Sequence, residues 1–156
     1  MSRHVATIRW SRKPEEPFLD GRYSRAHRWR FDGGAEVAAS SSPSVVRVPF
    51  SDPAGVDPEE ALVAALSSCH MLFFLDFAKQ AKFVVDSYED EAEGLMEKGA
   101  DGRVRMTKAT LRPLIRFAEG RAPSAAELAA IHHKAHDACY IANSVTTEVT
   151  VEARDG

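Results

Sequence analysis

The chain has two cysteines, Cys69 and Cys139, and their chemistry is the first question that the sequence raises. Free cysteine is among the most buried residue types, so each can be an inert core residue. Each can also be a metal ligand. As a third alternative, the two can form a redox pair, in which a thiolate attacks the O–O bond of a peroxide and a second cysteine condenses with the resulting sulfenic acid to a disulfide.

The metal alternative depends on three residues near the second cysteine. His132, His136 and Cys139 are spaced i, i+4, i+7, so a helix would place them on one stripe. Together with Cys69 they could form a tetrahedral zinc site. The same spacing is also typical of histidines on the solvated flank of a helix, and the sequence leaves both interpretations open.

The redox alternative requires a particular environment around the thiols. Both cysteines lie in apolar sequence, which suits an apolar peroxide. Burial raises the pKa of a thiol, so a nearby cation is needed to restore the thiolate.

Two predicted helices position the cysteines. The first begins at Asp57 and Pro58, which favour a helix start, and we extend it to about Ala81. It is apolar on nearly every side, which predicts a buried helix. A capping box of Ser124 and Glu127 opens the second helix, which runs to about Cys139. Because one chain of this size would struggle to cover the first helix, we expect a homodimer that buries it.

The remaining elements are predicted to be strands and turns. Strands are predicted at 5–10, 23–31, 35–39, 45–50, 83–93, 104–117 and 145–153, with turns at 32–34, 40–43 and 94–102. The apolar phase of 104–117 switches midway, which indicates a bulge or an edge position. The sequence therefore predicts a single α+β domain over 1–156, with mostly antiparallel sheets around two helices.

Composition restricts the partners. The chain of 156 residues is 44% hydrophobic and 28% charged, with a net charge of −3, which gives no electrostatic case for nucleic acid. We see no signal peptide, and the unbroken apolar runs are shorter than the roughly 20 residues of a membrane span. We therefore expect a cytoplasmic protein with neither a nucleic-acid nor a membrane partner.

Two separated segments resemble one known family. The helix start DPEEALVAALSSC at 57–69 resembles the helix signature of the OsmC/Ohr family, the osmotically induced and organic hydroperoxide resistance proteins. The segments AHDAC at 135–139 and NSV at 143–145 resemble the second-cysteine segment of the same family. The order of elements agrees as well, over most of the chain.

The resemblance implies an antioxidant enzyme of the oxidative stress response. This would be a thiol-dependent peroxidase that reduces organic hydroperoxides, built as an intertwined homodimer. Cys69 would be the peroxidatic thiol, Cys139 the resolving thiol, and Glu59 the residue that orients an activating arginine. An external dithiol such as a lipoylated protein would be the reductant, with no bound cofactor. The alternative is a metal- or small-molecule-binding OsmC-like protein without peroxidase turnover.

The resemblance leaves the position of the arginine open. Arg25 shares a predicted strand face with Trp29 and is our first choice, and Arg47, shortly before the central helix, is the second. Glu59 and Cys69 are ten residues apart on one helix, or about 15 Å along its axis. We therefore expect Glu59 to serve the partner's Cys69. Tyr140 stands where the family often has a proline after the second cysteine.

Overall fold

The structure is a computed structural model that describes residues 1–154. Those residues form eight strands, two α-helices and one short 3₁₀ helix. They divide into two compact units, one over Met1–Ala61 and the other beginning at Leu62. The single domain over 1–156 stays a prediction, and its last two residues lie outside the described part.

The first unit contains a three-stranded antiparallel sheet. Its strands β1 (Ala6–Arg9), β2 (His27–Phe31) and β3 (Glu36–Ala39) are ordered β1-β2-β3. The predicted hairpin is confirmed: the Gly34 N–H donates to the Phe31 carbonyl at 3.0 Å. Gly34 has a φ of +89°, a conformation that glycine adopts without a steric penalty. The second strand is shorter than predicted, since it begins only at His27.

The strand predicted at 45–50 is wrong, because this segment forms turns. The Val45 N–H donates to the Ser42 carbonyl and the Phe50 N–H donates to the Arg47 carbonyl, both at 3.0 Å. Pro49 interrupts the segment and has no N–H to contribute to a strand ladder. The valines suggested a strand, but local hydrogen bonds between near neighbours satisfy this backbone instead.

The central helix α1 (Pro58–Gln80) follows the prediction closely. Asp57 caps it, accepting a hydrogen bond from the Glu60 N–H at 2.7 Å. The expectation of burial on every side is not met within this chain. Only one stripe is buried, consisting of Leu66, His70, Phe74 and Ala78, while Leu72 on another face is 61% exposed.

By length and mean hydropathy, α1 could also cross a membrane. The unbroken apolar runs within it are shorter than a membrane span, and the absence of a membrane partner stays a prediction. One such helix is weak evidence for a span, because the core helix of a water-soluble protein meets the same criteria.

The second unit contains two sheets. Strand β4 (Val85–Asp90) pairs antiparallel with β7 (Pro113–Phe117). In the other sheet, β6 (Val104–Leu111) pairs antiparallel with β5 (Glu93–Lys98) and parallel with β8 (Glu148–Val151).

Three sequence predictions for this unit need correction. The long strand 104–117 is two strands in different sheets, which separate at Arg112, directly before Pro113. The turn predicted at 94–102 is a strand as far as Lys98, because its backbone pairs with β6. The last strand is shorter than 145–153, because a 3₁₀ helix over Ala142–Ser144 and an irregular link precede it.

The second helix and the core of this unit agree with the sequence. Helix α2 (Ala125–Ala138) begins at the predicted capping box of Ser124 and Glu127, and Cys139 is its C-cap. It packs on α1 through a core cluster of Phe74, Ala78, Phe83, Ile131 and Ala135. Two helices with antiparallel-rich sheets confirm the predicted α+β class.

Candidate active site

The structure brings Cys69 and Cys139 together within the second unit. Cys69 lies in the middle of α1 and is partly exposed, whereas Cys139 ends α2 and is only 1% exposed. Both are free thiols, and Cys69 lies near enough to Cys139 to affect the pKa of the Cys139 thiol. A reachable thiol therefore lies beside a covered one.

Burial raises the pKa of the Cys139 thiol above its ordinary value, because a thiolate is poorly solvated there. The Ala142 N–H, which donates to the Cys139 sulfur at 3.4 Å, opposes this effect. The neighbouring Cys69 raises the pKa of Cys139 further, since two negative sulfurs would repel each other. Cys139 is consequently a neutral thiol near pH 7.

The three residues of the metal alternative do not converge. His132 is hydrogen-bonded to His70, and the backbone carbonyl of His136 accepts the Cys139 N–H at 3.2 Å. Over residues 1–154, no three His, Cys, Asp or Glu side chains are placed to hold a metal ion together.

Arg25 and Glu59 lie in the first unit, where both line one cavity of about 460 Å³. Most of the wall is apolar and aromatic, and it includes Trp10, Phe18 and Tyr23. The Phe18 and Tyr23 rings stack with centroids 4.7 Å apart, and Trp10 meets Tyr23 edge-on at 5.5 Å. A cavity of this kind suits an apolar ligand with a small polar group.

The Arg25 guanidinium is held firmly at this cavity. Its Nη1 donates to the backbone carbonyls of Gly21 at 2.6 Å and Tyr23 at 2.5 Å. Its Cζ lies 3.7 Å from the centroid of the Tyr23 ring, a cation–π contact. The second choice, Arg47, is exposed on a turn, with its Cζ 5.8 Å from the Phe50 ring. Arg25 lines this cavity together with Glu59, and Arg47 is not among its lining residues.

Comparison with known proteins identifies the family. The family model for OsmC-like protein matches residues 51–154, about two thirds of the chain. This chain belongs to the OsmC family. The resemblance inferred from the two cysteine segments is thereby confirmed. No curated protein shows significant similarity to the sequence.

Solved structures agree with this assignment. An OsmC-like protein of unknown function from Vibrio cholerae is 51% identical, with a TM-score of 0.96 over 99% of this chain and 100% of that one. The organic hydroperoxide resistance protein OhrB of Bacillus subtilis is 16% identical, with a TM-score of 0.68 over 98% of each chain. An organic hydroperoxide resistance protein OsmC from Legionella pneumophila is 13% identical, with a TM-score of 0.73 over 99% of this chain and 98% of that one. The last two share the fold.

Sequence reasoning missed one polar feature of the second unit. His70 is 1% exposed and lies with its Nε2 3.0 Å from Nδ1 of His132. The only signal in the sequence was that His70 shares the i, i+4 stripe of Leu66, Phe74 and Ala78. A histidine in such a stripe is expected to find a buried hydrogen-bond partner.

Proposed function

We propose that this OsmC family member is a thiol peroxidase that reduces organic hydroperoxides. The observation that carries the proposal is the proximity of a partly exposed Cys69 to a buried Cys139. Cys69 is the sulfur that a peroxide can reach, so we assign it the peroxidatic role. Cys139 is covered and neutral, which protects it from direct oxidation and suits a resolving thiol.

The proposed cycle has three balanced steps. The Cys69 thiolate attacks the O–O bond and takes the terminal OH, becoming a sulfenic acid, while the alkoxide leaves and is protonated to the alcohol. The Cys139 sulfur, after losing its proton, attacks the sulfenic sulfur; the S–S bond forms and water leaves. An external dithiol then reduces the disulfide by thiol exchange and is itself oxidised.

Arg25 and Glu59 are proposed to activate the thiolate, with the guanidinium stabilising the negative sulfur and the carboxylate orienting it. Their shared apolar cavity supports this assignment and suits the organic part of a hydroperoxide. The half-exposed apolar faces of α1 favour a homodimer. In that dimer Glu59 would serve the partner's Cys69, because the two residues are far apart along one helix.

The other partners are proposed from the family. The reductant would be a lipoylated protein or another dithiol, with no bound cofactor. The site of action would be the cytoplasm, with no nucleic acid or membrane involved.

The experiment is steady-state reduction of cumene hydroperoxide with dihydrolipoamide. Cys69→Ser should abolish peroxide consumption, and Cys139→Ser should stop after one turnover, with a sulfenic or overoxidised Cys69 seen by mass spectrometry. Arg25→Lys keeps the charge but loses the planar guanidinium, so turnover should fall while the fold persists. Ser68→Ala, which removes a neighbouring exposed hydroxyl, is the matched control. Undiminished turnover in Cys69→Ser, or none in the unmodified protein, would refute the proposal.

A further inference from the structure

The first unit carries three arginines on one face of its sheet. Arg28 and Arg30 lie two residues apart on β2, and Arg9 on β1 is paired directly with Arg28. Alternate residues of a strand point to one face, and directly paired residues share a face, so the three side chains lie together. All three are exposed, whereas His27 and Trp29, on the other face of β2, are partly buried. We refer to Arg9, Arg28 and Arg30 as the arginine cluster.

The charge of the arginine cluster is not neutralised within this chain. The ion pairs among residues 1–154 include none of the three arginines. Glu36 on β3 is paired with Arg30 in the sheet, but the two side chains form no ion pair. Like charges that face each other across a strand pair, as Arg9 and Arg28 do, destabilise a sheet. An unfavourable arrangement without local compensation is typical of a functional surface.

The arginine cluster lines a groove of about 580 Å³, together with Ile8, Trp10, Ser11 and Glu36. Ile8 and Trp10 are 58% and 42% exposed, so the groove combines apolar surface with positive charge. Tryptophan and arginine are among the residues that contribute most of the binding energy at contacts between proteins. The lining therefore favours a protein segment that has both carboxylates and an apolar side chain.

The distribution of charge along the chain argues against a long polyanion. Residues 1–50 contain nine Arg and Lys against five Asp and Glu, whereas residues 51–156 contain eleven against eighteen. A nucleic-acid site is expected to be an extended basic stripe. Here the positive charge of the groove is limited to three arginines, with Glu36 beside one of them. A short acidic segment requires no larger positive surface than this.

We propose that this groove is a docking surface for an acidic protein segment, whose carboxylates pair with the arginine cluster and whose apolar side chain contacts Trp10. A guanidinium can hold a carboxylate through two parallel hydrogen bonds, which gives each contact a defined geometry. The groove is distinct from the cavity of Arg25 and Glu59, although Ile8 and Trp10 line both. Binding in it requires no redox step and does not depend on peroxidase activity.

The probe is the capped peptide Glu-Leu-Glu-Leu-Glu, with Gln-Leu-Gln-Leu-Gln as its uncharged analogue, both titrated into the full chain by calorimetry. The acidic peptide should bind about tenfold more tightly than the analogue, and added salt should remove this difference because it screens exposed charges. Arg9→Gln, Arg28→Gln and Arg30→Gln should each weaken binding of the acidic peptide about twofold to fivefold, and the triple variant about tenfold or more.

The matched control combines Arg3→Gln, Arg103→Gln and Lys134→Gln, which changes the net charge by the same amount. These three residues are exposed and lie outside the groove, so peptide binding should fall by no more than about twofold. Urea unfolding should show that the triple variant of the arginine cluster is at least as stable as the unmodified protein, because like charges are removed from one face. The single variants give the same test should the triple variant fail to fold.

The proposal is overturned if the acidic peptide binds no better than its analogue, or if the control variant loses as much binding as the triple variant. Two other occupants would overturn it as well. Tighter binding of oligothymidylate than of the acidic peptide, lost in the triple variant, would assign the groove to nucleic acid. A triple variant that sediments as a smaller species than the unmodified protein would assign the groove to a second copy of this chain.

Discussion

Acidification from pH 7 to pH 5 should destabilise this protein through the buried pair His70 and His132. Both rings are almost fully covered, and burial lowers the pKa of each from 6.5 to about 4, with the neighbouring His132 contributing to the shift of His70. In the unfolded chain these two rings take up protons as the pH falls through 6.5, whereas in the folded chain they stay neutral until about pH 4. The stability contributed by the neutral pair is therefore complete above pH 6.5 and is lost progressively below it.

The expected loss in the free energy of unfolding follows from these two pKa values. One pKa unit corresponds to about 1.4 kcal/mol, so each histidine can cost about 3 kcal/mol over the whole interval. Between pH 7 and pH 5 the pair should lower the free energy of unfolding by about 4 kcal/mol in total. That is a large part of the roughly 5–15 kcal/mol that stabilises a typical domain. Most carboxylates keep their charge in this window, so the histidines dominate the change.

The measurement is urea unfolding at several pH values and one fixed protein concentration, because self-association shifts apparent stability. His132→Gln can still hydrogen-bond to His70 but does not titrate, so the pH dependence should fall by about half. His133→Gln is the matched control, because this neighbouring histidine is exposed. A free energy of unfolding that is constant from pH 7 to pH 5, or an equal effect in His133→Gln, would refute the reasoning.

Two further predictions concern stability. Phe74→Ala should cost about 3–5 kcal/mol in chemical unfolding, because Phe74 is fully buried between the helices in the core cluster, whereas the exposed Leu72→Ala should cost much less. Ser124→Ala should cost about 1 kcal/mol, because it removes half of the capping box of α2, and Ser124→Thr should retain most of that stability. The core assignment would be contradicted if Phe74→Ala lowered the free energy of unfolding no more than Leu72→Ala does. The capping assignment would be contradicted if Ser124→Ala and Ser124→Thr were equally stable.

The helices could be read from the sequence because their signals are local. Asp57 and Ser124 cap helices through hydrogen bonds to residues three positions away, and the structure has both caps in place. Strands depend on partners that are distant in the chain, and their prediction was less accurate. The segment 104–117 joins two different sheets, and Glu93–Lys98 is a strand because β6 lies beside it.

The candidate site shows the same division. The two cysteine segments were enough to identify the family. The strand face on which the choice of Arg25 depended is absent, because β2 begins only at His27, and the cavity that Arg25 shares with Glu59 comes from the tertiary structure. The partnership of His70 with His132 was not predictable, because each histidine alone has an ordinary role in the core of its own helix.

By itself, the sequence determined the type and limits of the helices, the hairpin turn, the α+β class and the family. Each of these depends on interactions within a few residues or on a matching motif. Only the tertiary structure decided that Cys69 lies near Cys139, that His70 stacks on His132, and that one stripe of α1 is covered while other faces stay exposed. Such contacts join residues about sixty to seventy positions apart, and they form because packing buries apolar surface that no local pattern can assign to a partner.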